Sequence, residues 1–220
     1  RLVAFVNYYF KDLGENDGHT WCSVDILRAA ISNMVPECVE KIDWLLSNND
    51  FLYCEKDRIS LKYYHDVEMK IYSLLLKKSQ KASSFEIPAE TIEQSITIAE
   101  DAQGFKYVPE QIDTIKKSLK RPVTLISGKA GVGKTSIMRA IIEAYKLSEH
   151  TITASALSAM AAQRISEATD FPAMTIHRTL GCKGINKFIF NKDNHLVTDV
   201  AFLDEGSMVG ANLFLNWIEA

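Results

Sequence analysis

Gly128-Lys129-Ala130-Gly131-Val132-Gly133-Lys134-Thr135 reads G-x-x-x-x-G-K-T, the phosphate-binding P-loop. Its three glycines allow a tight turn in which several backbone N–H groups point inward at phosphate oxygens, and a following helix adds its positive N-terminal end. The flanks fit. Pro122-Val123-Thr124-Leu125-Ile126-Ser127 is a short β-branched and apolar run, which predicts a buried parallel strand. Ser136 to Tyr145 combines good helix formers with an apolar stripe at Ile137, Ile141 and Tyr145. Strand, glycine loop and helix together predict a nucleoside triphosphate site, ATP with Mg²⁺. Its phosphate-binding residues are Gly128, Lys129, Ala130, Gly131, Val132, Gly133, Lys134, Thr135 and Ser136. Lys134 would reach the β- and γ-phosphates, and the Thr135 hydroxyl would ligate Mg²⁺.

Downstream, Val200-Ala201-Phe202-Leu203-Asp204-Glu205 is an apolar run ending in two acids, the Walker B pattern. Asp204 is expected to hold Mg²⁺, and Glu205 to orient or deprotonate the attacking water. Alternation at the strand end would let each acid do a separate job. Alone the pattern is weak; behind a P-loop it is specific. The catalytic candidates are therefore Lys134, Asp204 and Glu205.

Composition bounds the rest. The 220 residues are 47% hydrophobic and 24% charged, ordinary for a globular protein of one large domain or two small ones. A net charge of −3 argues against a uniformly basic nucleic-acid binder but leaves room for a local basic groove. No apolar run is long enough to span a bilayer, and no signal peptide opens the chain, so no membrane is expected. Cys22, Cys38, Cys54 and Cys182 form no C-x-x-C and lack histidines at ligand spacing, as expected of free thiols in a reducing cytoplasm.

Residues 1–20 are an ambiguous lead-in. In residues 21–80, Ser23 reads as an N-cap before a stripe at Ile26, Leu27, Ala30, Ile31 and Met34. Pro36 suits the first turn of a second helix with Val39, Ile42, Leu45 and Leu46 on one face. Phe51 to Glu55, the charged turn Lys56-Asp57-Arg58 and Ile59 to Tyr63 predict a β-hairpin, and a third helix runs from about His65 to Lys78. Helix, helix, hairpin, helix resembles a winged-helix module. Such a module either binds DNA or serves as a scaffold. Glu37, Glu40, Lys41 and Asp43 make the candidate recognition helix too acidic for a phosphate-facing surface, which favours the scaffold. Residues 81–104 read as a linker with a short helix from Thr91 to Ala102. Residues 105–220 hold the P-loop region. Lys116, Lys117, Lys120 and Arg121 read as a solvated helix end.

Three further blocks follow in order: Ala161-Ala162-Gln163-Arg164-Ile165-Ser166-Glu167-Ala168-Thr169, Thr175-Ile176-His177-Arg178-Thr179-Leu180-Gly181 and Asp204-Glu205-Gly206-Ser207-Met208. With the P-loop they resemble the RecD/TraA branch of superfamily 1B DNA helicases over about Val108 to Val209. The resemblance implies an α/β fold: a P-loop, RecA-like parallel sheet, incomplete here, preceded by a small α+β winged-helix-like domain. It implies ATP-driven 5′→3′ movement on single-stranded DNA. It implies that Gln111 reads the adenine edge, and that Ser158, Met160, Arg164, His177 and Arg178 contact the strand or couple it to the nucleotide. Read from the residues alone, Gln111 is a solvent-facing helix residue and His177 an ordinary core or surface histidine. Where the family carries P-T-G-[KR], this chain has Leu157-Ser158-Ala159-Met160, losing a strand-contacting cation.

The chain runs 15 residues beyond Glu205 (220 − 205). The family's next strand, with G-D-x-x-Q-L-P, and the arginines of a second RecA-like domain would lie further on. The chain therefore reads as an internal piece of a longer protein, poorly stable by itself and neither helicase nor efficient ATPase. The alternative class is a P-loop ATPase switch that regulates through a DNA-binding winged helix.

Overall fold

The computed structural model describes residues 1–16, 18–81, 86–129, 131–184 and 187–220. The chain divides into two compact units, residues 1–73 with 208–215 and residues 74–207 with 216–220.

In the first unit the ambiguous lead-in is a helix, α1 (Leu2–Asn16), whose Leu2, Val6 and Phe10 are buried. A short strand that periodicity did not predict, β1 (Trp21–Ser23), precedes α2 (Val24–Met34). Ser23 caps α2 as expected, its hydroxyl accepting the Ile26 N–H at 3.3 Å. The predicted stripe on α2 narrows to Leu27 and Ile31; Ile26 and Met34 are exposed. Pro36 does open the next helical stretch, but Pro36–Lys41 is a 3₁₀ turn and only Ile42–Ser47 (α3) is α-helical. Three residues per turn shift the phase, so Cys38 is buried where Val39 was expected.

The hairpin is β2 (Leu52–Glu55) and β3 (Arg58–Leu61), turning through Lys56 at φ +56°. Arg58 lies in the strand, not in the turn. Strand order β1-β3-β2 is antiparallel throughout, and α4 (Lys62–Ser79) follows. Leu27, Ile31, Ile42, Leu45, Ile59 and Phe10 close one core.

In the second unit, α5 (Ala89–Gln103) is longer than the short helix read from the sequence and buries Ile92, Ile96 and Ala99. It ends at Gly104 in the left-handed conformation. α6 (Pro109–Ser118) ends in Lys116 and Lys117, which pair with Glu93 and Asp113. α7 (Lys134–Leu147) is followed by β4 (Ile152–Ala156), α8 (Ala159–Thr169), β5 (Ala173–Thr175) and α9 (Ile176–Thr179). A hairpin β6 (Cys182–Gly184) and β7 (Lys187–Phe188) precedes β8 (Val200–Asp204), and α10 (Ala211–Glu219) follows, its residues 211–215 belonging to the first unit.

The sheet is parallel with order β5-β4-β8. The predicted strand before the P-loop is not part of it. Pro122 to Ser127 pairs with no described strand, and Leu125 is 91% exposed. Extended backbone needs a neighbouring edge to satisfy its N–H and C=O groups, and among the described residues β8 pairs with β4 alone.

Candidate nucleotide site

The parallel register brings three chain segments to one sheet edge. Ala156 at the end of β4 lies opposite Thr175 on one side and Asp204 on the other. Leu157-Ser158, Ile176-His177-Arg178 and Glu205 therefore leave the sheet side by side, at the carboxyl ends of the strands. That is where open α/β sheets bind ligands. α7 packs on the sheet through Met138 and Ile142 against Ala154, Ala156 and Phe202. A four-residue connection, 148–151, joins α7 to β4, and the glycine loop lies at the amino end of α7.

At that amino end Gly131 (φ +82°) and Gly133 (φ +86°) take left-handed backbone that an L side chain resists. The Lys134 ammonium folds over the loop, donating to the carbonyls of Gly128 at 2.8 Å and Lys129 at 3.1 Å. Thr135 and Ser136, both partly exposed, lie in the first turn. Ala130 is outside the described residues. The remainder suits a polyphosphate: a glycine turn, a 14-residue helix beginning at it, and a lysine held within reach of the loop.

Asp204 ends β8, and its Oδ1 accepts the Glu205 N–H at 2.9 Å. Glu205 itself is left-handed, φ +53°, a conformation costing an L residue about 1–2 kcal/mol. Simple strand alternation thus does not separate the two acids. The chain turns sharply after Asp204, and that turn sends exposed Glu205 in a new direction. Among the described residues no group of three or more His, Cys, Asp or Glu could hold a metal. Mg²⁺ at this site would depend on the Thr135 hydroxyl, Asp204 and the phosphates themselves.

Gln111 lies beside the loop. Its Oε1 accepts the Val108 N–H at 3.1 Å, and its Nε2 donates to the Val132 carbonyl at 3.2 Å. It is therefore not a free solvent-facing side chain. Ser158 caps α8, accepting the Ala161 N–H at 3.1 Å, while Met160, Arg164, His177 and Arg178 are exposed. α9 is anchored by a buried pair, Ser155 Oγ to Thr179 Oγ1 at 2.9 Å.

Some neighbouring residues have no sequence signature. Tyr107 is buried and donates its hydroxyl to the Ser136 carbonyl at 2.6 Å; burial pushes its pKa to about 12. Arg139 on α7 donates to the Ala168 carbonyl of α8 at 2.6 Å. Lys183 and Lys187 project from the β6–β7 hairpin, whose Phe188 ring lies 6.2 Å from that of His177.

The fold and this edge define a P-loop nucleotide-binding domain, and the sequence pattern of an AAA domain matches residues 111–220, half of the chain. The chain belongs to that family. It is also 26% identical to the RecBCD enzyme subunit RecD of Buchnera aphidicola subsp. Schizaphis graminum (strain Sg), over 90% of this chain and 38% of that protein. The likeness to RecD-type helicases carried by the ordered blocks is borne out.

Proposed function

We propose that this chain is the nucleotide-binding part of an ATP-dependent DNA helicase that moves 5′→3′ on single-stranded DNA. One observation carries the reading. Thr175, Ala156 and Asp204 stand in one row, so the blocks proposed to touch the strand and the acids proposed to act on water leave the same edge. A shift of the sheet edge on nucleotide binding would then be felt by Ser158, Met160, Arg164, His177 and Arg178. ATP with Mg²⁺ supplies the phosphoryl group. Lys134 and the loop amides bind its phosphates, Asp204 holds the metal, and Glu205 positions and deprotonates water.

The chain spans 38% of the length of its RecD relative. A second RecA-like domain would complete the site, and a strand from the rest of the protein would pair the run 122–127. Residues 21–80 are proposed to be winged-helix-like, supported by the order β1-α2-α3-β2-β3-α4. Asp43, which the DNA-binding reading would turn toward phosphate, instead pairs with Arg28. Four cysteines without disulfides suit a reducing cytoplasm, and among the described residues no helix is long and apolar enough to cross a membrane.

ATPase assays on the full-length protein test the proposal. Single-stranded DNA should stimulate turnover, and only duplexes with a 5′ single-stranded tail should be unwound. Stimulation by a specific duplex alone would favour the switch regulator instead.

A further inference from the structure

Two side chains from the turn into α6 grip the backbone on either side of Lys134. Gln111 Nε2 holds the Val132 carbonyl, two residues before the lysine, at 3.2 Å. Tyr107 Oη holds the Ser136 carbonyl, two residues after it, at 2.6 Å.

Both are themselves anchored. The Gln111 carbonyl oxygen is fixed by the Val108 N–H at the start of α6. The Tyr107 ring is 5% exposed in a core with Ile115, Ile137 and Ile141. Its N–H donates to Glu100 Oε1 at 2.8 Å, while Lys106 bonds the other oxygen of that carboxylate at 2.8 Å. The fit at Gly133 is equally specific. A Cβ there would lie 2.5 Å from Gln111 Nε2, so glycine both permits φ +86° and admits the amide.

In a planar trans peptide the N–H points opposite to the carbonyl. Holding the Val132 carbonyl therefore aims the Gly133 N–H away from Gln111. Holding the Ser136 carbonyl sets the first turn of α7, from which Lys134 and Thr135 project.

We propose that Tyr107 and Gln111 form a two-point brace that keeps the phosphate loop in its binding shape whatever base the nucleotide carries. The inference rests on the nucleotide-site reading above and deepens it. Both residues are positioning residues, since they act through backbone rather than on substrate. The brace does not displace a base contact: an amide offers two N–H groups and two lone pairs, and one of each stays available on Gln111.

Calorimetric titration of the full-length protein with MgATP, MgGTP and Mg-tripolyphosphate separates the possibilities. The variants are Tyr107→Phe, which keeps the buried ring, and Gln111→Met, which keeps the length. Each should weaken all three ligands by a similar factor, roughly 3- to 10-fold for one net hydrogen bond. Ligand-free melting temperatures should change little, which a general loss of folding would not allow. A loss confined to ATP in Gln111→Met would overturn the brace and leave Gln111 as a base reader. Unchanged affinities in Tyr107→Phe would overturn it as well. Wild-type protein that bound none of the three would overturn the nucleotide-site reading itself.

Discussion

Ile152–Ala156 and Pro122–Ser127 are both short apolar runs that lead into a functional loop, yet they end differently. The first is β4, hydrogen-bonded to β5 on one side and β8 on the other, with Ala154, Ser155 and Ala156 buried. The second pairs with no described strand, and Leu125 stands in solvent. Val123 and Ile126 gain partial cover, Ile126 against the core around Ile115 and Ile137. The difference teaches that an apolar β-branched run is only a candidate strand. Parallel strands are not closed by their own local turn, so each depends on an edge supplied from elsewhere in the chain.

The comparison can be tested at the ends of both runs, beginning with the largest effect. Lys134 follows the unpaired run, and Glu205 follows β8, the partner of β4. In the full-length protein Lys134→Ala should weaken ATP binding and abolish turnover. Glu205→Gln should keep binding but lose hydrolysis by a factor of about a hundred or more, the usual worth of a positioned base. Near-normal turnover in Glu205→Gln would remove the role assigned to that acid.

Stability should divide in the same way. Ile142, fully buried against β4, is expected to cost about 2–5 kcal/mol on truncation to alanine. Leu125→Ala should stay within about 0.5 kcal/mol, as for an exposed surface residue. Denaturant titration of the 220-residue chain would reveal this, and a large loss from Leu125→Ala would mean that the run is buried after all.

The tie between β4 and α9 comes next. Thr179→Val keeps the shape but leaves the buried Ser155 hydroxyl without its partner, at a cost of about 1–3 kcal/mol. The double variant with Ser155→Ala should recover much of that loss in the same titration. No recovery would show that the two hydroxyls are not coupled.

The smallest effect concerns the entry to the sheet. Asp199 Oδ2 accepts both the N–H and the hydroxyl of Thr151, at 2.8 Å and 2.7 Å, where the chain approaches β4 and β8. These bonds, the hydroxyl first, hold its pKa below the ordinary 3.8. A carboxylate depressed by folding stabilises above its unfolded pKa, and that contribution fades as pH falls through the folded value. The melting-temperature gap between wild type and Asp199→Asn should accordingly be widest near neutrality and close below pH 3.8. A gap independent of pH would contradict the assignment.

Much of the candidate site was legible because the chemistry proposed for it depends on local patterns. The glycines of the P-loop, the Ser23 cap and the apolar approach to Asp204 each announce a conformation or a role within a few residues. Tyr107 was not legible: a tyrosine before Val108-Pro109 carries no mark of the carbonyl it meets 29 residues later. The left-handed Glu205 was equally silent, since strand periodicity implies a regular end. β1 and β5 are three residues each, too short for alternation to register.

By itself the sequence determined the P-loop, the Walker B acids, the order of the blocks between them and the helices that carry apolar stripes, because each depends on spacing along the chain. Only the tertiary structure decided that Thr175, Ala156 and Asp204 share one edge, that Tyr107 and Gln111 reach the loop, and that residues 122–127 go unpaired. Those outcomes depend on which segments meet in space. Hydrogen-bonding edges and buried surfaces are properties of pairs of segments, and no single stretch of sequence encodes its partner.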